Sequence, residues 1–361
     1  MMQVAFVGDL GLSSRLLADP ESRISPGLVQ ILRSCDMAVA NLELPIRVEG
    51  ASTAPYSHPS LAGRLEAWPL VTGAGFGALC LASNHCMDSG RKGLAFTRYL
   101  ASRSGILAFG AGLDETEARR TVIAEVAGRR LGLLGYCKKG PFTASGTKAG
   151  AALLSAGNMR ADIPEARRMC DVLVVSMHAG MEFVEEVHPD VARLARLAVD
   201  LGADCVIGHH PHVVQPVEIY RGKPIFYSLG NFLFDNRAGA TLCKVQWHER
   251  HRGLVAVVSF MDESHPVFET IPVEYDPDDL TVRQAPPSGI ETVSTPVLPS
   301  SGAAADSRGL GRIVRRELLT IAALTRLHGP SFLFSLTSDI RPRHLRMIWN
   351  SILRVKREKT V

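Results

Sequence analysis

The stretch VIGHHPHVVQPVEIYRGKPIFYSLGNF, Val206–Phe232, carries a fold signature and a chemical one together. The apolar run Cys205–Ile207 reads as a buried strand ending in Gly208. Three histidines, His209, His210 and His212, then crowd into four positions. Neutral imidazoles gathered at a strand end suit a transition metal. Val214–Tyr220 and Pro224–Leu229 follow as a hairpin around Arg221-Gly222-Lys223.

Working outward, the chain alternates strand-like apolar runs with amphipathic helices. Val4–Val7 ends in Gly8-Asp9, Met37–Ala40 in Asn41-Leu42-Glu43, and Ala78–Ala82 in Ser83-Asn84-His85. Arg91–Ser104 reads as a helix and Ile106–Phe109 as a short strand. Thr121–Val126 and Arg130–Tyr136 form a hairpin around Ala127-Gly128-Arg129, and Val172–Met177 ends in His178. Pro189–Leu201 places Val191, Leu194, Leu197 and Leu201 near helical spacing. Leu254–Phe260 and Val267–Val273 read as closing strands. Strands alternating with helices and then hairpins predict an α/β fold with mixed sheets.

From about Asp276 the composition turns to Pro, Ser, Ala and Asp, which reads as a linker over 276–307. The expected organisation is a domain over 1–275, that linker, and a helical extension over 308–361. The extension is basic, with twelve Arg/Lys against three Asp/Glu.

With 361 residues, 46% of them hydrophobic, the chain can bury a substantial core. A net charge of +4 is too mild to imply nucleic-acid binding. Seven cysteines without a CxxC pair give no disulfide framework and point to a reducing compartment. Strand begins by residue 3, so no targeting peptide is expected, and Leu318–Leu336 is interrupted by Arg326, His328, Gly329 and Pro330, a poor membrane span. The reading is a cytoplasmic protein.

Polar side chains stand where α/β proteins build sites, past the carboxyl ends of strands. Asp9, Glu43, Asn84, His85, His178, His210 and His212 all do so. Any one alone has an ordinary explanation as a turn, a helix cap or a boundary residue. Five strand ends delivering a carboxylate, amide or imidazole point to a metal site.

These motifs resemble the CapA family, the capsule and poly-γ-glutamate synthesis proteins with a calcineurin-like metallophosphatase fold. The landmarks are VGD at Val7–Asp9, NLE at Asn41–Glu43, SNHCMDSG at Ser83–Gly90, HAGMEF at His178–Phe183, GHHPHVVQ at Gly208–Gln215 and YSLGNFLFD at Tyr227–Asp235. The match runs from residue 3 to about 240. The resemblance implies a four-layer α/β/β/α sandwich and one or two divalent ions, Mn, Fe or Zn. It makes Glu43 the bridging carboxylate, with Asn84, His178 and His210 on one ion and Asp9 and His212 on the other. His85 would face the substrate as general acid or transition-state donor. A carboxylate bridge holds two metals roughly 3.5–4 Å apart, and the amide and imidazoles keep the site positive enough to draw an anion.

One feature departs from the wider superfamily, whose first motif is DxH: here Asp9-Leu10-Gly11 lacks the histidine. Asn41, His209 or water would have to fill that position, or the site is mononuclear. Glu182 reads as a residue orienting a metal-bound group or as a solvated loop carboxylate, and Asn231 as site floor or turn. Asp88 reads as shaping the loop after His85. His58, His188, His248 and His251 read as surface residues.

The function implied is a metal-dependent, phosphoesterase-like hydrolase in capsule or poly-γ-glutamate biosynthesis. The alternatives are a noncatalytic accessory of polymer assembly or an amide hydrolase acting on γ-glutamyl polymer. Expected partners are an anionic substrate, phosphoester or polyglutamate, and the polymer-synthesis machinery. The helices read at Arg308–Leu327 and Arg343–Lys356 either pack on the catalytic domain or make a peripheral membrane contact.

Overall fold

In a computed structural model, the described residues are 1–13, 16, 19–49, 61–234, 251–261, 265–276, 278–286 and 292–293. The chain divides into two compact units, Met1–Ala238 with Gln246–Leu298 and Gly239–Val245 with Pro299–Val361, and every described residue belongs to the first. The basic extension over 308–361, and His58 and His248, lie outside the described residues.

In chain order the strands are β1 (Met2–Leu10), β2 (Met37–Leu42), β3 (Ala78–Cys80), β4 (Leu107–Phe109), β5 (Ala111–Gly112), β6 (Val122–Val126), β7 (Arg129–Cys137), β8 (Gly150–Ala151) and β9 (Val172–His178). They continue as β10 (Cys205–His209), β11 (Val217–Tyr220), β12 (Lys223–Phe226), β13 (Asn231–Leu233), β14 (Arg252–Phe260), β15 (Val267–Tyr275), β16 (Val282–Gln284) and β17 (Thr292–Val293). The α-helices are α1 (Pro26–Ser34), α2 (Trp68–Ala74), α3 (Gly90–Arg103), α4 (Glu115–Ala118), α5 (Ala156–Met169) and α6 (Pro189–Asp200).

Two large mixed sheets result. The first runs β16-β15-β14-β1-β2-β3-β4, with β13 also pairing β1, and the second β17-β11-β12-β10-β9-β7-β6. Pairing is parallel through β1-β2-β3-β4 and through β7-β9-β10-β12, and antiparallel in the hairpins and across β14-β15-β16. Strand alternation explains why the inner strands are apolar at nearly every position. In the second sheet, Leu131, Leu133, Val172, Val174, Cys205 and Ile207 join the core of the first sheet. Their neighbours Leu134, Tyr136, Leu173, Val175 and Val206 pack instead with Met159 and Ile163 of α5 and Ala192, Ala195 and Ala198 of α6. Leu28 and Leu32 of α1, Leu70 and Val71 of α2, and Leu94 and Ala101 of α3 bury against the first-sheet core.

Two expectations change. The buried stripe of α6 is Ala192, Ala195, Ala198 and Val199, flanked by the partly buried Val191, Leu194 and Leu201. Small residues in the stripe let the helix approach the sheet closely, and the larger residues straddle the contact. Two short stretches after Tyr275, where composition suggests linker, are edge strands. Val282–Gln284 pairs antiparallel with β15, and Thr292–Val293 pairs parallel with β11. Backbone pairing overrides the turn-forming composition there, and Val282 is fully buried.

Candidate metal centre

Register builds the site. Asp9 pairs across the first sheet with Asn41 on one side and with Asn231 on the other. In the second sheet, Cys137, His178 and His209 form the matching row at the strand ends. Irregular register around Asp9 in both of its pairings lets this carboxylate turn toward the other sheet from within a strand.

The segment Tyr227–Asn231 crosses between the two sheets. Leu229 N donates to Gly208 O at 3.2 Å, and Asp9 N donates to Gly230 O at 2.9 Å. Both crossings need glycine. A Cβ on Gly208 would lie 1.9 Å from Tyr227 O, and one on Gly8 2.1 Å from Gly230 O. This is why glycine stands in each of the short motifs GD, GH and SLGN, far apart in the chain.

His210 and His212 have positive φ, 96° and 56°. That region is costly for residues other than glycine, and such strain gathers at functional sites. Here it aims two imidazoles inward from one short loop. Phe183 stacks on the His212 ring at 5.7 Å, and the Phe234 ring centre lies 4.9 Å from it.

Glu43 lies at the middle. It is fully buried, and neither carboxylate oxygen has a hydrogen-bond partner among the described residues. Oε1 stands 3.6 Å from His212 Nε2, 3.7 Å from His178 Nε2 and 3.9 Å from His85 Nε2. These separations are too long for hydrogen bonds. Two ligand atoms each about 2.1 Å from one ion stand roughly 3–4 Å apart, which is the spacing found. Glu43, His178 and His210 offer ligand atoms within 4.8 Å of one another, as do Asp9, Glu43 and His212. Glu43 belongs to both groups, so the donor set fits one ion or two sharing this carboxylate.

The remaining groups orient these. Asn84 Oδ1 accepts from His178 Nε2 at 2.7 Å, on the side of that ring nearest Glu43. His212 Nδ1 lies 2.9 Å from Asn231 Oδ1 and 3.1 Å from Asp9 Oδ2. Asn41 Nδ2 donates to Asp9 Oδ1 at 2.8 Å, and its own Oδ1 is buried without a partner among the described residues. His209 Nδ1 sits 3.2 Å from the same Asp9 oxygen. Ser83 Oγ donates to Glu43 O at 2.7 Å and accepts from His85 N at 3.2 Å, tying the β3 loop to the end of β2.

Electrostatics follow from burial and charge. Burial holds His178 and His210 well below the usual imidazole range, so both are neutral, as ligand imidazoles must be. Burial also pushes Glu43 up to about 8. Burial opposes ionisation of Asp9, yet hydrogen bonds from His209 and His212 outweigh it and hold Asp9 well below the carboxylate range. Burial likewise opposes a charged His212, but the Glu43 and Asp9 charges raise it to about 10. His85 is raised too, because the hydrogen bond and charge of Asp88 outweigh its burial.

Asp88 does more than shape a loop. Its Oδ2 lies 2.8 Å from His85 Nδ1 and accepts from Leu61 N at 2.7 Å, which fixes the ring with Nε2 toward Glu43. Glu182 is exposed, within electrostatic reach of Glu43, His85 and His212. His188 caps α6 through Nδ1, and His251 packs edge-on against Tyr275. At Gly11, two residues after Asp9, a side chain would meet the Phe234 ring at 3.0 Å and Leu44 at 3.2 Å.

One residue has no counterpart among the sequence expectations. Lys138 follows β7, its N–H donates to His178 O at 3.0 Å, and its Nζ lies 2.7 Å from His210 Nε2. The same strand-end logic applied to Tyr136-Cys137-Lys138 would have found it.

A model of the bacterial capsule synthesis protein family PGA_cap matches residues 3–236. The PGA biosynthesis protein CapA of Bacillus subtilis is 30% identical over 267 residues, covering 70% of this chain and 69% of that one. The capsule biosynthesis protein CapA of Bacillus anthracis is 33% identical over 234 residues, covering 62% of this chain and 56% of that one. Among solved structures, a hypothetical protein from Thermus thermophilus aligns with a TM-score of 0.50 at 17% identity, over 79% of this chain and all of that one, a likeness of fold alone. With the family match spanning well over half its length, and with CapA relatives of this identity, the chain belongs to the CapA (PGA_cap) family of bacterial capsule synthesis proteins.

Proposed function

We propose that this chain is a metal-dependent, phosphoesterase-like hydrolase that serves capsule or poly-γ-glutamate biosynthesis on an anionic substrate. The observation that carries the reading is Glu43, a buried carboxylate whose oxygens have no hydrogen-bond partner among the described residues and whose Oε1 faces three imidazoles. Such a group is stable only with a cation or a proton. The proposed ligands are Glu43, Asn84, His178 and His210 for one ion and Asp9, Glu43 and His212 for a second, with Mn, Fe or Zn all compatible with mixed N/O donors. A four-layer α/β/β/α sandwich would carry them, supported by second-sheet strands whose alternate residues face the first sheet and α5/α6.

When bound, such an ion supplies Lewis acidity and a strong nucleophile from water near neutral pH. The chain's own residues do the rest. Asp88 holds a proton on His85 Nδ1 and keeps the imidazolium populated, so Nε2 can deliver a proton to a leaving oxygen. Asn231 and Asn41 hold His212 and Asp9 in fixed orientations. Glu182, exposed beside the site, adds negative charge that supports the protonated form of His85.

A second reading, a noncatalytic metal-binding accessory of polymer assembly, is favoured by Phe234, which fills the space where a first-motif histidine would reach. Metal analysis of purified protein, with phosphoester and γ-glutamyl amide panels on wild type, His85→Ala and His210→Ala, separates the readings. Ester turnover lost in both variants, with folding intact, is the expected result. Bound metal without ester turnover, unaffected by His85→Ala, would overturn the hydrolase in favour of the accessory. Turnover of amides alone would redirect it to γ-glutamyl polymer.

A further inference from the structure

We propose that Lys138 anchors an anionic oxygen of the substrate beside the metal centre. This rests on the reading that the centre holds a divalent ion. Three observations carry it.

First, Lys138 is held in place by sheet register. Cys137 pairs with His178, and the next N–H, that of Lys138, donates to His178 O at 3.0 Å. The residue therefore leaves the sheet at the same level as the candidate ligands. Second, its side chain turns inward, in contrast to the exposed Lys139 beside it. Nζ reaches 2.7 Å from His210 Nε2, and Lys138 is half-buried, so the ammonium lies at the boundary between the site and solvent. Third, no carboxylate neutralises it. Among the described residues no Asp or Glu oxygen lies within 4 Å of Nζ, whereas Lys223 of the same sheet and Arg196 of α6 are paired to Asp204 and Glu218.

An ammonium carries three donors and no acceptor. Without an ion one lies on the His210 ring; a neutral imidazole has a single lone pair, so an ion held by that ring frees this donor as well, and at least two directions are open to an anion. A half-buried cation without a counter-ion, next to a cluster of metal-ligand types, is arranged to meet an anion. Lysine serves phosphate as a point charge, and it would serve a carboxylate of polyglutamate by the same chemistry. The residue binds and positions; nothing in the geometry has it exchange a proton with the reacting group.

The experiment is equilibrium binding of inorganic phosphate, and separately of tri-γ-glutamate, to the full chain loaded with Mn²⁺. Wild type is compared with Lys138→Met and Lys138→Arg, and metal content is measured on each sample. Lys138→Met should bind the favoured anion at least tenfold more weakly with metal content unchanged. Lys138→Arg should stay within about threefold of wild type. Which anion shows the effect identifies the substrate class.

Equal affinity of Lys138→Met and wild type for both anions would overturn the anchor, as would a wild type that takes up metal and binds neither. Weakened binding that follows a loss or gain of metal would also overturn it, placing Lys138 in the metal shell. A wild type that takes up no metal refutes the metal centre itself, a distinct failure that removes this proposal with it. Turnover is not needed for any arm, so the absence of hydrolase activity leaves the test intact.

Discussion

Replacing Glu43 with glutamine should stabilise the chelated protein at alkaline pH and remove most of the stabilisation that a bound metal gives. Without a cation, Glu43 is buried, unpartnered, and raised from an ordinary 4.5 to about 8. The folded chain then keeps a proton that the unfolded chain gives up. Stability is fully present below pH 4.5 and is lost as pH rises toward 8. Each tenfold in proton affinity is about 1.4 kcal/mol, so the loss is about 3 kcal/mol by pH 7 and about 5 kcal/mol above pH 8. His212 does not reverse the trend. Raised to about 10, it contributes stability below its ordinary value that is lost as pH rises through 10. Glu43→Gln removes the carboxylate penalty but also a charge that supports the His212 proton, so the net gain at pH 8 is smaller, about 2–3 kcal/mol.

For a domain of this size 1 kcal/mol moves Tm by about 2 °C. Chelated Glu43→Gln should therefore melt about 5 °C above chelated wild type at pH 8, the gap closing near pH 4.5. Metal at 100 times Kd should stabilise wild type by about 2.7 kcal/mol and the variant by much less. The assay is a set of thermal melts in chelator and in Mn²⁺ across pH 4.5–8. A folded, chelated Glu43→Gln that melts at or below wild type at pH 8 would refute the reasoning, because Glu43 would then already have its partner.

Asp88→Asn should leave metal content unchanged and lower the His85 pKa, because Asp88 is what raises it. The basic limb of the pH–rate profile should then move to lower pH, at a cost of roughly tenfold in rate above the limb for each pH unit moved. An unmoved limb would remove His85 as the acid. Gly11→His should place an imidazole two residues after Asp9 without adding a ligand, because the Phe234 ring and Leu44 occupy the space. It should destabilise by about 1–3 kcal/mol with unchanged metal stoichiometry, measured by melts and metal analysis; a gain of one bound ion would contradict this. Gly208→Ala should cost about 3 kcal/mol or more in chemical denaturation, since the new Cβ meets a backbone carbonyl that cannot rotate away. A change within about 1 kcal/mol would show that the Tyr227–Asn231 crossing can shift.

Local chemistry made much of the fold legible. Runs such as Val172–Met177 and Cys205–Ile207 read as strands buried on both faces, and Arg221-Gly222-Lys223 and Ala127-Gly128-Arg129 announce their hairpins. The strand Asn231–Leu233 and the helix Ala156–Met169 escaped the reading. The first pairs with β1 from more than two hundred residues away, and the second carries Pro164 and a polar face that blur its period.

The sequence by itself determined which residue types stand at the strand ends, because strand termination and polar chemistry are local properties. Tertiary structure alone decided their company. Register across β7, β9 and β10 brought Lys138 beside His210, the glycine crossings placed Asn231 on His212, and Phe234 took the space beside Gly11. Each of these meetings depends on the side-by-side alignment of strands distant in the chain, and the energy that sets that alignment is spread over both sheets rather than written in any one motif.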